Sequence, residues 1–117
     1  MPEEPLTAER DEEPRALNLA PAPTVLEEAG ALVYGGDREA DYGGPRPSCE
    51  NIAALWTTYL HGAGVLPHEV VLTAEDAACC LLLLKVSRFA TGGVKRDTIV
   101  DMAGYAAVIA RVAGIDP

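Results

Sequence analysis

The chain has one Phe, one Trp and four Tyr in 117 residues, and only nine Lys and Arg against eighteen Asp and Glu. So few aromatics leave a core built from aliphatic side chains and alanine. The shortage of cations, with a net charge of −9, leaves no basic field for duplex nucleic acid, and such a partner is not expected. Three cysteines, two of them adjacent at Cys79 and Cys80, make neither a disulfide framework nor the C-x-x-C spacing of a zinc site. They read as reduced core residues. The longest apolar run, Ala77 to Leu84, is too short to span a bilayer, and no basic segment followed by an apolar run opens the sequence. A cytoplasmic protein without a membrane partner is expected.

Residues 1–23 hold Pro2, Pro5, Pro14, Pro21 and Pro23 among alternating acids, a composition that cannot offset its own ordering entropy. This segment reads as an acidic tail, disordered or extended, and residues 24–117 as one helical domain. Within the tail, Leu17 and Leu19 form a short apolar patch able to dock on a partner or on the domain. A core this small gains from self-association, so a homo-oligomer is expected.

Apolar spacing marks four helices. Thr24 can cap the first, from Val25 to Tyr34, with Glu27 and Glu28 in its first turn. Gly35 and Gly36 stop it, and the Gly- and Pro-rich stretch to Pro47 reads as a loop. Ser48 can cap the second, where Ile52, Leu55, Trp56 and Tyr59 fall at i, i+3, i+4 and i+7. Residues 61–72 form a connector in which Val70, Val71 and Leu72 can add a short extended segment. Thr73 with Asp76 resembles a capping box opening a third helix to about Ala90, apolar nearly all round and so expected to be central. Thr98 with Asp101 can open the fourth, which Gly114 ends. With no convincing strand and no internal repeat, the fold class is all-α, a compact bundle of about four helices.

Charges recur at helical spacing in one place. Lys85 and Arg88 are three apart near the end of the third helix, and Asp97, Asp101 and Tyr105 are four apart on the fourth. A short Gly-containing connection makes the two helices antiparallel neighbours, which sets the basic pair opposite the acidic pair. Such a network more often fixes helix register than binds a ligand. Gly104, between Asp101 and Tyr105, costs roughly 1 kcal/mol inside a helix, so something must approach the backbone there, most simply a neighbouring helix. For ligand binding, Arg38, Lys95 and Arg96 lie near Gly-rich segments, where Arg, Lys and backbone N–H groups serve phosphate well. The D-Y-G-G-P segment adds Asp41 as an acceptor and Tyr42 as a stacking surface. His61 and His68 lack metal-binding spacing, and no catalytic constellation stands out.

R-E-A-D-Y-G-G-P from Arg38, N-I-A-A-L-W-T-T-Y-L from Asn51, L-L-K-V-S-R from Leu83 and K-R-D-T-I-V-D-M-A-G-Y-A from Lys95 together resemble a family of small, uncharacterised phage and prophage helical proteins found in actinobacteria and their viruses. The resemblance covers about Val25 to Ala113. The order D-Y-G, K-x-x-R and D-x-x-x-Y is more distantly similar to the helical domain associated with phage nucleotide modification and to all-α nucleoside triphosphate pyrophosphatases of the MazG type. Those relatives imply a nucleotide ligand. The pyrophosphatases hold magnesium with E-x-x-E and E-x-x-D pairs, whereas the third helix here places Lys85 and Arg88 where acids would be wanted. A cationic pair suits phosphate better than a metal.

The leading expectation is a protein that binds a nucleotide or nucleotide-derived molecule through Arg38, Asp41, Tyr42, Lys85, Arg88, Arg96, Asp101 and Tyr105, by sequestration or in an altered pyrophosphatase-like role, without a cofactor. The alternative is a protein-interaction or virion-associated module with no small-molecule ligand. A magnesium-dependent pyrophosphohydrolase, the one reading that calls for Mg, ranks third. Because the tail offers few apolar groups to bury, removing residues 1–21 should leave the melting temperature nearly unchanged in a thermal melt, and a loss of many degrees would make the tail part of the fold.

Overall fold

The computed structural model describes residues 21–35 and 44–117. The expectations for the tail up to residue 20 and for Arg38, Asp41 and Tyr42 lie outside them. Four helices make up the described fold: α1 Val25–Tyr34, α2 Pro45–Gly62, α3 Ala74–Gly92 and α4 Arg96–Val112. No strand occurs among the described residues, and Val70 to Leu72 join α2 to α3 as irregular backbone. The architecture is an all-α bundle.

Local chemistry explains most helix ends. At α1 the Thr24 hydroxyl accepts from the Glu27 N–H while the Thr24 N–H donates to the Glu27 carboxylate, and Thr73 with Asp76 repeats this reciprocal pair at α3. Two starts differ from expectation. α2 begins not at Ser48 but at Pro45, directly after Gly44, whose φ of 88° only glycine adopts easily. Proline is preorganised for the first helical turn, and its missing N–H has no partner there anyway. The Pro and Gly residues that read as a loop therefore launch the helix. α4 starts at Arg96 with Lys95 at the cap and no side-chain hydrogen bond, so Thr98 lies inside the helix and not at its boundary.

α4 is the central element. It packs against α1, α2 and α3, while α3 packs also on α2 and α1 rests chiefly on α4. The expected central helix, α3, has an open side instead: Cys79, Cys80, Leu83 and Leu84 are exposed. Where α3 meets its neighbours its residues are Ala74, Ala77 and Ala78, all buried. Those alanines join Cys49 and Ala53 of α2 and Val112 of α4 in the main core cluster, with Ile52, Trp56, Leu72, Val108 and Ile109 against it. Small side chains let helix axes approach closely, and the larger aliphatic side chains of α3 stay outside. A buried methyl contributes only about 0.8 kcal/mol, against roughly 1.5–3 for a leucine.

The buried polar group Thr57 is satisfied, its hydroxyl accepting from the Leu72 N–H at 3.0 Å and fastening the α2–α3 connector to the core. That connector also carries His61, whose Nε2 lies 2.8 Å from the Val70 carbonyl and whose ring sits 4.8 Å from that of His68. Arg46 ties three helix ends together. Its guanidinium donates to Glu50 at 3.0 Å, to Glu75 at 3.1 Å and to the Val112 carbonyl at the end of α4. The hydrogen bond to Glu50, with the negative charge of both acids, raises the Arg46 pKa against a smaller opposing effect of burial.

The contrast between the two threonines is measurable by denaturant unfolding. Thr73→Ala should destabilise the fold by about 1 kcal/mol through loss of the cap, and Thr98→Ala, which removes no cap, by less than about 0.5 kcal/mol.

Candidate functional site

All four helices wall one open-sided cavity of about 540 Å³, within the range common for small-molecule sites. Leu32 and Val33 of α1, Ile52 of α2, Leu81 of α3 and Val100 and Val108 of α4 give it apolar sides. The polar groups on it are Lys85 from α3, Asp101, Tyr105 and Arg111 from α4, and Ser48 near the start of α2. The i, i+4 spacing of Asp101, Tyr105 and the neighbouring Gly104 and Val108 puts them on one side of α4, and the α3–α4 turn brings Lys85 across from them. The turn itself needs Gly93, at a φ of 87°, to reverse the chain in a few residues.

Lys85 and Asp101 form an ion pair at 3.1 Å, the pairing expected from their spacing. The lysine side chain is 17% exposed and the aspartate 41%, so the pair is half-sheltered, and the ammonium retains donors that one carboxylate oxygen does not use. Gly104 meets α1 as anticipated, but loosely: a Cβ at this position would stand 3.6 Å from Val33 Cγ2, an ordinary van der Waals distance. Helix packing brings α1 to Gly104 without requiring a glycine there.

Of the eight residues singled out in the sequence, Lys85, Asp101 and Tyr105 come together on the cavity wall. Arg38, Asp41 and Tyr42 lie outside the described residues. Arg88 is exposed and does not line the cavity. Arg96 does not line it either; it pairs with Glu28 and donates to the Pro23 carbonyl at 2.9 Å, holding the start of α1 against the start of α4. Asp97 is exposed at the α4 start and makes no ion pair with another described residue.

Sequence inspection missed Arg111. It donates from Nε to the Pro117 carbonyl at 2.7 Å and from Nη1 to the Val33 carbonyl at 2.8 Å, and its guanidinium lies 5.5 Å from the centre of the Tyr34 ring. The Tyr34 hydroxyl in turn donates to Asp116 at 2.6 Å. That hydrogen bond, with burial and the nearby negative charge, raises the phenol pKa, and Arg111 opposes the rise. No sequence signal marks this cluster, because two acceptors of Arg111 are main-chain oxygens, those of Val33 and Pro117, which no side-chain pattern encodes.

The cysteines divide by place. All three are free thiols; Cys49 is buried at the cavity, where desolvation raises its pKa, while Cys79 and Cys80 are exposed on α3 and are not core residues. No group of three or more His, Cys, Asp or Glu able to hold a metal ion occurs among the described residues. Nor is any helix among them long and apolar enough to cross a membrane.

Because the Lys85 ion pair is only half-sheltered, Asp101→Ala should destabilise by about 1–2 kcal/mol in denaturant unfolding, short of the 3–5 kcal/mol that stranding a fully buried charge costs. Asp101→Asn, which keeps an acceptor for Lys85, should lose less.

The model of a family described as a domain of unknown function, DUF6378, matches residues 24–113. The Gene 55 protein of Mycobacterium phage L5 is 40% identical over 80 residues, which cover 68% of this chain and 47% of that protein. The Gene 55 protein of Mycobacterium phage D29 is 36% identical over 89 residues, 76% of this chain and 53% of that protein. The chain thus spans about half the length of these relatives. No solved structure matches it. All four helices and every cavity-wall residue fall within the matched segment, and the chain belongs to the DUF6378 family, a family with phage members.

Proposed function

We propose that the cavity binds a nucleotide or nucleotide-derived small molecule. The apolar sides suit a base, Tyr105 offers it a stacking face, and the Asp101 carboxylate offers an acceptor for a ring or exocyclic N–H. Lys85 supplies donors for phosphate. The wall carries two cations, Lys85 paired with Asp101 and Arg111 donating to the Val33 and Pro117 main chain, and the chain a net −9, so a ligand of low charge such as a monophosphate or a cyclic nucleotide fits better than a triphosphate.

Gly104 is the observation that carries this reading. It stands inside a helix on the cavity wall, at a cost of roughly 1 kcal/mol relative to alanine. No protein atom crowds the position closely enough to exclude a methyl. Beside Val33 the wall carries no side chain at this position, at the expense of helix stability, and this suits a ligand that comes close to the backbone. Sequestration of the nucleotide, or an altered pyrophosphatase-like role, both fit; a magnesium-dependent hydrolase has no carboxylate cluster among the described residues to support it. A homo-oligomer is compatible with either, since a core built largely of alanine leaves much apolar surface outside. The alternative of an interaction module draws support from the exposed leucines of α3.

Thermal melts of the full chain with nucleoside monophosphates, triphosphates and cyclic nucleotides, all in EDTA, test the proposal. At least one ligand should raise the melting temperature, as expected from a stabilisation of about 2.7 kcal/mol at a hundredfold excess over Kd. Gly104→Ala should melt slightly higher than the parent without ligand and lose most of the ligand-dependent shift. Gly30→Ala, in α1 with nothing within 4 Å, should gain similar stability and keep the shift. The absence of any shift at millimolar ligand would overturn the proposal in favour of the interaction module.

A further inference from the structure

The cations on the cavity wall are each answered by an acid. Lys85 meets Asp101 at 3.1 Å. Arg111 shares its neighbour Tyr34 with Asp116: the guanidinium lies 5.5 Å from the ring centre, and the phenol donates to the aspartate. Among the described residues that line the cavity, the charged ones are Lys85, Asp101 and Arg111, two cations less one acid, and Asp116 beside the Arg111–Tyr34 contact reduces even that surplus. The sides around these groups are apolar, from Leu32 and Val33 across to Leu81, Val100 and Val108. Such a wall can reward an anionic oxygen with hydrogen bonds, but it has little net charge to set against a highly charged ligand.

Resting on the reading that this cavity takes a nucleotide, we propose that its ligand is a phosphodiester, such as a cyclic mononucleotide, and that Asp101 is the residue that selects it over a phosphomonoester. A phosphomonoester carries a charge of about −1.5 to −2 at pH 7, a diester a single negative charge. Both can take the Lys85 donors that Asp101 leaves unused. Two effects then separate them. Removing an ion from water costs in proportion to the square of its charge, so a dianion loses about four times as much as a monoanion, while its attraction to the same cations only doubles. A phosphate held by Lys85 also stands beside Asp101, because one ammonium serves both, and the repulsion between them doubles too. A neutral nucleoside avoids both costs but leaves the lysine donors unused. Affinity therefore peaks at one negative charge.

Calorimetric titration of the full chain in EDTA tests this with each nucleoside in four forms: free, as the cyclic monophosphate, as the methyl ester of the monophosphate, and as the monophosphate itself. The methyl ester is a diester without the ring, so it separates charge from ring closure. For at least one base, both diesters should bind about tenfold more tightly than the nucleoside and the monophosphate, the effect of one like-charge contact. Asp101→Asn, with its helical circular dichroism checked, should tighten the monophosphate about tenfold and the diesters only about threefold, since the repulsion removed scales with ligand charge. A monophosphate that binds the parent as tightly as the diesters would overturn the proposal and leave the nucleotide reading standing. A nucleoside as tight as the diesters, or a methyl ester as weak as the monophosphate, would also overturn it. Equal gains for both ligand classes in Asp101→Asn would remove the role given to Asp101. Binding of none of the four forms, for any base, would instead sink the nucleotide reading and this inference with it.

Discussion

Close contact between alanine-bearing helix faces is the constraint on which the rest of this structure depends. Ala53 on α2 and Ala74, Ala77 and Ala78 on α3 bring these backbones near one another, with Cys49 and Val112 completing the cluster. Tight axes stabilise through many small dispersion contacts and through little transferred area. Apart from Val112 and those packed against the cluster, such as Leu72 and Ile109, larger aliphatic side chains lie around the cavity, as with Leu32, Leu81 and Val108, or outward in solvent, as with Leu83 and Leu84. Cavity and exposed leucines are therefore two results of one packing choice.

Polar contacts at the helix ends hold this lean core in register. Arg46 joins α2, the start of α3 and the end of α4; Arg96 joins the starts of α1 and α4; Arg111 joins the end of α1 to the C-terminal residues. Each guanidinium reaches at least one backbone carbonyl, with a planar set of donors that a lysine lacks. The one interior lysine among these contacts, Lys85, meets a carboxylate instead and stays on the cavity wall.

The sequence made part of this legible. The limits of α1, its Thr24 cap, the Thr73–Asp76 capping box and the approach of Lys85 to Asp101 come from spacing and from side-chain oxygens at helix starts, which are local rules. What escaped was decided at longer range. Pro45 and Pro47 look like chain breakers until Gly44 turns the chain so that Pro45 falls in the first helical turn. α3, apolar on every side, carries no amphipathic signal to say which side faces out, and alanines too small to stand out proved to be the inner one. Arg96, paired in anticipation with a phosphate, meets Glu28 across 68 residues of sequence, and no periodicity encodes such a contact.

The arrangement of α1 has a dynamic consequence. This ten-residue helix rests chiefly on α4, and its other attachments to described residues include the guanidinium contacts at its two ends and the Tyr34–Asp116 hydrogen bond. Proteins open in cooperative units whose cost depends on the contacts each unit makes, and α1 has the fewest neighbours of the four. It can undock while α2, α3 and α4 keep the alanine core intact, and in doing so it removes Leu32 and Val33 from the cavity wall. The enclosure of the site thus depends on the helix with the fewest packed neighbours, whose amide protons should exchange with solvent ahead of the core's.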